Sequence, residues 1–233
     1  MAADKILHQW ARLGILFNVR PSGKTPDIEK LLVDTAIMLP YMPRLLPASV
    51  TWLTCYERLV CRHRLAGLAA VISDVDTAAM GLLLSIAKDF SGTDHFNLVI
   101  KKCRPLKKPK PLFEVDRKAR QLWRLSQTNS SPISRKWGLW CEPVKLKENA
   151  VRPLTWVMQH NPSLQQRAVF SGNLRASILE TLAHDKQAGQ SESLLARHCH
   201  ATRKAVREAL DHLEFCQLIV RRNSIGKTLI KRC

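Results

Sequence analysis

Ser191-Glu192-Ser193-Leu194-Leu195-Ala196-Arg197-His198-Cys199-His200-Ala201-Thr202-Arg203-Lys204-Ala205-Val206-Arg207-Glu208-Ala209-Leu210-Asp211-His212-Leu213-Glu214 is the stretch on which the fold of this chain turns. It reads as two short amphipathic helices joined by a tight turn. Ser191 caps the first, which runs through Leu194, Leu195 and Ala196 to about Cys199. Thr202 caps the second, because its hydroxyl can accept a bond from an amide two or three residues on. The glutamates stand at the wrong places for reciprocal capping boxes, so simple caps are expected. In the second helix Ala205 or Val206, Ala209 or Leu210, and Leu213 form a buried stripe. That spacing turns Arg203, Lys204 and Arg207 outward over the first two turns. A helix N-terminus carries partial positive charge and ordinarily attracts acids. Cations crowded there are a local conflict that makes sense where an external anion is met.

Working outward, Asn173 caps an earlier helix in which Leu174, Ile178, Leu179 and Leu182 recur at helical spacing to about His184. Asp185 to Gln190 breaks that pattern. After the second helix, Leu218-Ile219-Val220, the turn residues Asn223-Ser224-Ile225-Gly226, and Thr228-Leu229-Ile230 predict a hairpin over Leu218 to Arg232. Arg221, Arg222, Lys227, Lys231 and Arg232 decorate it.

Residues 173–232, about a quarter of the chain, resemble the winged helix-turn-helix of bacterial transcription regulators of the MarR and GntR kind. The resemblance rests on Leu195-Ala196-Arg197 through Leu210, then Leu213-Glu214 and Leu218-Ile219-Val220. His200 departs from it, standing where such turns often carry glycine. The resemblance implies a double-stranded DNA partner. Arg203, Lys204 and Arg207 would meet the major groove, Thr202 and the Ser191 end of the preceding helix would lie near phosphates, and Arg221, Arg222 and Lys227 would act through the wing.

Charge supports a polyanionic partner. The chain of 233 residues carries a formal net charge of +18, unevenly spread. Residues 1–100 hold 10 basic and 9 acidic side chains, residues 101–124 hold 10 and 2, and residues 197–233 hold 9 and 3. Seven cysteines without a CxxC pair, and no secretory leader, predict a reducing cytoplasm. Leu65 to Ala87, the most apolar region, is interrupted by Ser73, Asp74 and Asp76 and is too polar to span a bilayer.

The first 170 residues read as mostly helical. Helices are predicted over Asp4 to Phe17, from the Thr25-Pro26-Asp27 start to Pro40, over Val50 to Leu65, Thr77 to Lys88, Leu112 to Leu125, and Pro153 to Gln159. Phe96 to Ile100 is expected as a strand, and Pro105 to Pro111 as an extended, solvated connector. The expected fold class is mainly α: a helical N-terminal domain over 1–165 and a winged helix-turn-helix with a small β-hairpin wing over 166–233. Because the chain ends just after the wing, homodimer contact is expected from the N-terminal part, with no membrane role.

Rival chemistries fare worse. Lys101-Lys102-Cys103-Arg104 and Lys107-Lys108-Pro109-Lys110 would supply phosphate contacts, or serve only as a solvated linker. Trp137 and Trp140, beside Arg135 and Lys136, would stack on unpaired bases or, the preferred reading, anchor the core. His198-Cys199-His200, even with His184, His212 and Cys216, matches no zinc spacing, so no metal is expected and Cys199 is read as a buried small residue. Cys55 and Cys61 read as packed thiols. Ser22-Gly23-Lys24-Thr25 and Gly226-Lys227-Thr228 lack the earlier glycine of a phosphate loop. Asp74-Val75-Asp76 lacks a third carboxylate and reads as a loop and cap. No oriented nucleophile is apparent, so neither an enzyme nor a cofactor is expected. A sequence-specific DNA-binding regulator of transcription is the first expectation. The alternative is the DNA-binding component of a plasmid or phage replication complex, or of a defence complex.

Overall fold

The computed structural model describes residues 2–115, 119–185, 187–224 and 227–233. The protein is mainly helical, with a small antiparallel hairpin at the C-terminal end. The helices run α1 (Ala2–Arg12), α2 (Ile28–Met38), α3 (Leu45–Tyr56), α4 (Arg62–Ala69), α5 (Asp74–Ser91) and α6 (Asn97–Ile100). Strand β1 (Lys110–Pro111), α7 (Arg120–Thr128), α8 (Pro132–Lys136), β2 (Leu139–Trp140), α9 (Leu154–His160) and α10 (Gln165–Val169) follow. The chain ends with α11 (Leu174–His184), α12 (Glu192–His198), α13 (Arg203–Phe215) and the hairpin β3 (Ile219–Ser224) and β4 (Lys227–Arg232).

Helix α5 is buried along most of its length and packs against α2 and α3. This explains the long apolar stretch before Lys88: it is a core helix. Its polar start is a cap, with Ser73 accepting the Asp76 N–H and donating its hydroxyl to the Asp76 carboxylate. Around it Trp10 and Trp52 meet edge to face at 5.5 Å. Each indole N–H has a buried partner, Thr35 Oγ1 and the Leu13 carbonyl respectively, both at 2.9 Å. One hydrophobic cluster draws on residues 6–164 and a second on residues 178–230.

Several expectations need correction. Phe96 to Ile100 is no strand; Asn97–Ile100 is a helical turn. Phe96, Val99 and Cys103 are the buried positions, and their spacing of three and four residues is that of a helix face, which overrides β-branched propensity. The helix expected from Leu112 starts instead at Arg120. Just ahead of that span Lys110 and Pro111 pair with the second strand, and its first residue, Leu112, donates to the Trp140 carbonyl at 3.0 Å, while residues 116–118 of the span lie outside the described set. The helix expected over Val50 to Leu65 starts at Leu45 and is broken after Tyr56. The break turns the Cys61 N–H towards the buried Glu29 carboxylate, 2.8 Å away. Asp27, not Thr25, caps α2. Helix α1 stops at Arg12, ahead of Gly14, whose φ of +97° no helix admits.

The C-terminal helices are docked on the rest. Helix α4 packs against α11 and α12, so closely that a Cβ on Gly67 would overlap the His198 carbonyl oxygen. A buried ion network crosses this seam. Glu29 receives Arg64 at 3.1 Å and Arg167 at 2.6 Å; Arg167 reaches on to Glu180 at 2.8 Å and the Leu59 carbonyl at 3.1 Å. Arg64 also holds Asp27, and His184 lies 3.5 Å from Glu180. Burial alone would raise the Glu180 carboxyl, but His184 and Arg167 outweigh it and hold it at about 2.

Candidate nucleic-acid interface

Three local devices shape the surface formed by α12, α13 and the hairpin. The first is capping. Ser191 Oγ accepts the Leu194 N–H at 3.1 Å, Thr202 Oγ1 the Ala205 N–H at 3.2 Å, and Asn173 the amides of Arg175 and Ala176. Each hydroxyl, while accepting, still has its own hydrogen to donate.

The second device is the turn. The Ala201 N–H bonds the Ala196 carbonyl at 2.9 Å and the His200 N–H bonds the Arg197 carbonyl at 3.1 Å, with His200 at φ +46°. This is a Schellman termination, which favours glycine at the left-handed position, so His200 is held there under strain. The same pattern ends α13: Leu218 bonds back to Leu213 at 2.9 Å, Gln217 to Glu214 at 2.9 Å, and Gln217 has φ +57°.

The third is the buried stripe. Val206, Ala209, Leu210 and Leu213 are buried with Ile178, Leu179, Leu195, Cys199, Ile219 and Ile230 in one cluster. Cys199 is the packed thiol expected of it, burial pushing it up to about 11. Among the described residues no three His, Cys, Asp or Glu side chains gather as a metal site. Trp137, likewise, is a core residue, its indole N–H donating to Ser85 Oγ at 3.0 Å.

Over that stripe Arg203, Lys204 and Arg207 stand exposed. Arg207 reaches across to Glu192 at the start of α12, 3.1 Å away, yet keeps 60% of its side chain open to solvent. Among the described residues, Arg203 and Lys204 have no carboxylate within 4.0 Å. Helix α13 is thus cationic at its positive end and acidic further on, at Glu208, Asp211 and Glu214, the reverse of what the helix dipole favours.

The hairpin splits its arginines. Ile219 faces inward, and with a period of two Arg221 faces inward as well, opposite Ile230. There it bonds Asp211 at 2.8 Å and also Glu214, bracketing the hairpin to α13. Arg221 therefore has an occupation inside the fold that its expected wing role did not include. Val220, Arg222 and Lys231 are exposed. Lys227 opens β4, its side chain outside the described set, as are Ile225 and Gly226 of the expected turn.

Arg197, exposed on the last turn of α12, was not among the expected contacts. Its place beyond the buried pair Leu195 and Ala196 was the signal for it. The Arg207–Glu192 pair brings the Ser191 end of α12 beside the start of α13, where Thr202, Arg203 and Lys204 stand, whereas Arg221 is held to the later turns of that helix, at Asp211 and Glu214, with Arg222 next to it on β3. Among the described residues, no helix is long and apolar enough to cross a membrane. Searches against protein-family models, curated proteins and solved structures find no match to this chain.

Proposed function

We propose that the protein binds double-stranded DNA in a sequence-specific manner, residues 173–232 acting as a winged helix-turn-helix. One observation carries this reading: Thr202 caps a helix whose first two turns offer Arg203, Lys204 and Arg207 to solvent above a fully apolar underside. Such a helix end is suited to enter a major groove, where arginine or lysine meets guanine O6 and N7. The Ser191 and Thr202 hydroxyls suit adjacent phosphates, and Arg222 suits the backbone beside the groove. Regulation of transcription is the role this module fits best. Pairing through residues 1–165 would set two such helices one DNA turn apart and require a two-fold related site; sedimentation with and without DNA tests that pairing.

The experiment is selection of bound duplexes from a random pool at two salt concentrations. A sharp common motif, with affinity falling steeply as salt rises, is the expected result. Recovery of an unenriched pool would overturn sequence-specific binding. Occupancy at promoters alone separates regulation from the alternative, in which the protein co-purifies with replication or nuclease machinery.

A further inference from the structure

Residues 101–124 hold ten basic and two acidic side chains. In a solvated linker those charges would only keep the chain extended. Residues 101–112 are instead anchored. Lys101 and Lys102 finish the turn of α6, donating to the Asn97 and Val99 carbonyls at 3.1 and 2.9 Å. Cys103 is buried behind them, its thiol pushed up to about 12 by that burial. Leu106 then donates to the Trp137 carbonyl at 3.1 Å and Lys110 to the Gly138 carbonyl at 3.2 Å. The fixed backbone leaves Lys101, Lys102, Arg104, Lys107 and Lys108 exposed, and among the described residues none is ion-paired within 4.0 Å. Asp94, whose carboxylate feels the Lys101 charge, is bonded to Lys88 at 2.8 Å.

This anchored charge lies beside the turn that precedes α13. Helix α6 packs on α4, and α4 packs on α12. Lys102 is near enough to His200 that its charge, added to burial, holds the imidazole below its ordinary value. His200 is three residues from Arg203 in sequence. The buried pairs of Arg167 with Glu29 and Glu180 fix the two parts against each other, so the separation of these cations is set by the fold.

We infer that Lys101, Lys102 and Arg104 form a second, sequence-independent contact with the phosphate backbone of the same duplex that α13 reads. This rests on the DNA-binding reading above. The interface is then composite: α13 supplies base recognition, and the helical part supplies a rigid electrostatic clamp flanking the helix-helix turn.

The test compares four proteins on the selected duplex and on a scrambled one, over a range of salt: wild type, K101A/K102A/R104A, R203A/K204A, and K24A/K145A/K147A as a control for net charge. The clamp variant should melt like wild type and weaken on both duplexes by one common factor. Its salt slope should shrink by about 0.9 for each phosphate it no longer neutralises. The charge control should leave the slope nearly unchanged. A clamp variant with wild-type slope and affinity, while R203A/K204A loses the preferred duplex, overturns the clamp and leaves the DNA-binding reading standing. Wild-type protein that binds neither duplex overturns both.

Discussion

Arg167 and Glu29, 138 residues apart in the chain, form an ion pair of 2.6 Å in which the arginine is 2% exposed and the glutamate fully buried. The pair lies at the seam between the α2–α4 region and the C-terminal helices, and it makes the position of α13 a property of the whole fold. Two desolvated charges hold their place only while both are present. Arg167→Ala should therefore cost about 3–5 kcal/mol, because it takes from the buried Glu29 and Glu180 the cation they share and leaves Glu29 with Arg64 and the Cys61 N–H alone. The double change Glu29→Gln with Arg167→Met should recover part of the loss, Glu180 still lacking its arginine. Urea unfolding of the single and double variants checks this, and equal losses for both would deny the pair its role.

The same network sets an acid limit. The Glu180 carboxyl is held at about 2 against an ordinary 4.5, so its proton leaves the folded state more readily than the unfolded one. A depressed carboxyl contributes stability above the unfolded value, and that contribution fades as pH falls from about 4.5 towards 2. Melting temperature measured from pH 6 to pH 2.5 should decline over this window. Glu180→Gln should start lower at pH 6 and decline less, whereas an unchanged decline would assign the acid sensitivity elsewhere.

His200 occupies a left-handed turn position that glycine fills without penalty. His200→Gly should stabilise the protein by about 1 kcal/mol, the relief of αL strain exceeding the added chain entropy. Thr202→Ala should destabilise it by about 1 kcal/mol through loss of the cap. Thermal melts of both read the two signs directly.

Arg221 and Arg222 are neighbours with different work. Arg222→Ala should leave melting unchanged and weaken DNA binding at low salt, because the side chain is exposed on the outer face of the hairpin. Arg221→Ala should loosen the hairpin, since it removes the bracket to Asp211 and Glu214. Amide exchange in β3 and β4 should accelerate for Arg221→Ala only. Equal exchange rates in the two variants would contradict this division.

How much was readable in advance follows from the range of the forces involved. Asn173, Ser191 and Thr202 announced three helix starts because capping acts within three residues, and the spacing of Val206, Leu210 and Leu213 set the buried side of α13. The direction of Arg221 was also readable, from alternation with Ile219, but the resemblance to a wing had assigned it a contact with DNA. The Phe96 to Ile100 turn was misread because β-branched residues in a short apolar run do not distinguish a strand from a buried helical turn. The seam was invisible: nothing local links Glu29 to Arg167, or Lys102 to His200. The exposure of Arg203, Lys204 and Arg207 was readable because the apolar stripe of α13 fixes the opposite face.

The most direct measurement is the affinity of the R203A/K204A/R207A variant for the duplex selected by the wild-type protein. With the fold intact by melting, binding should fall by at least about a hundredfold, each base-reading side chain being worth about 1–3 kcal/mol, and preference over scrambled DNA should vanish. Affinity within about twofold of wild type, with preference retained, would contradict the claim that this helix enters the groove.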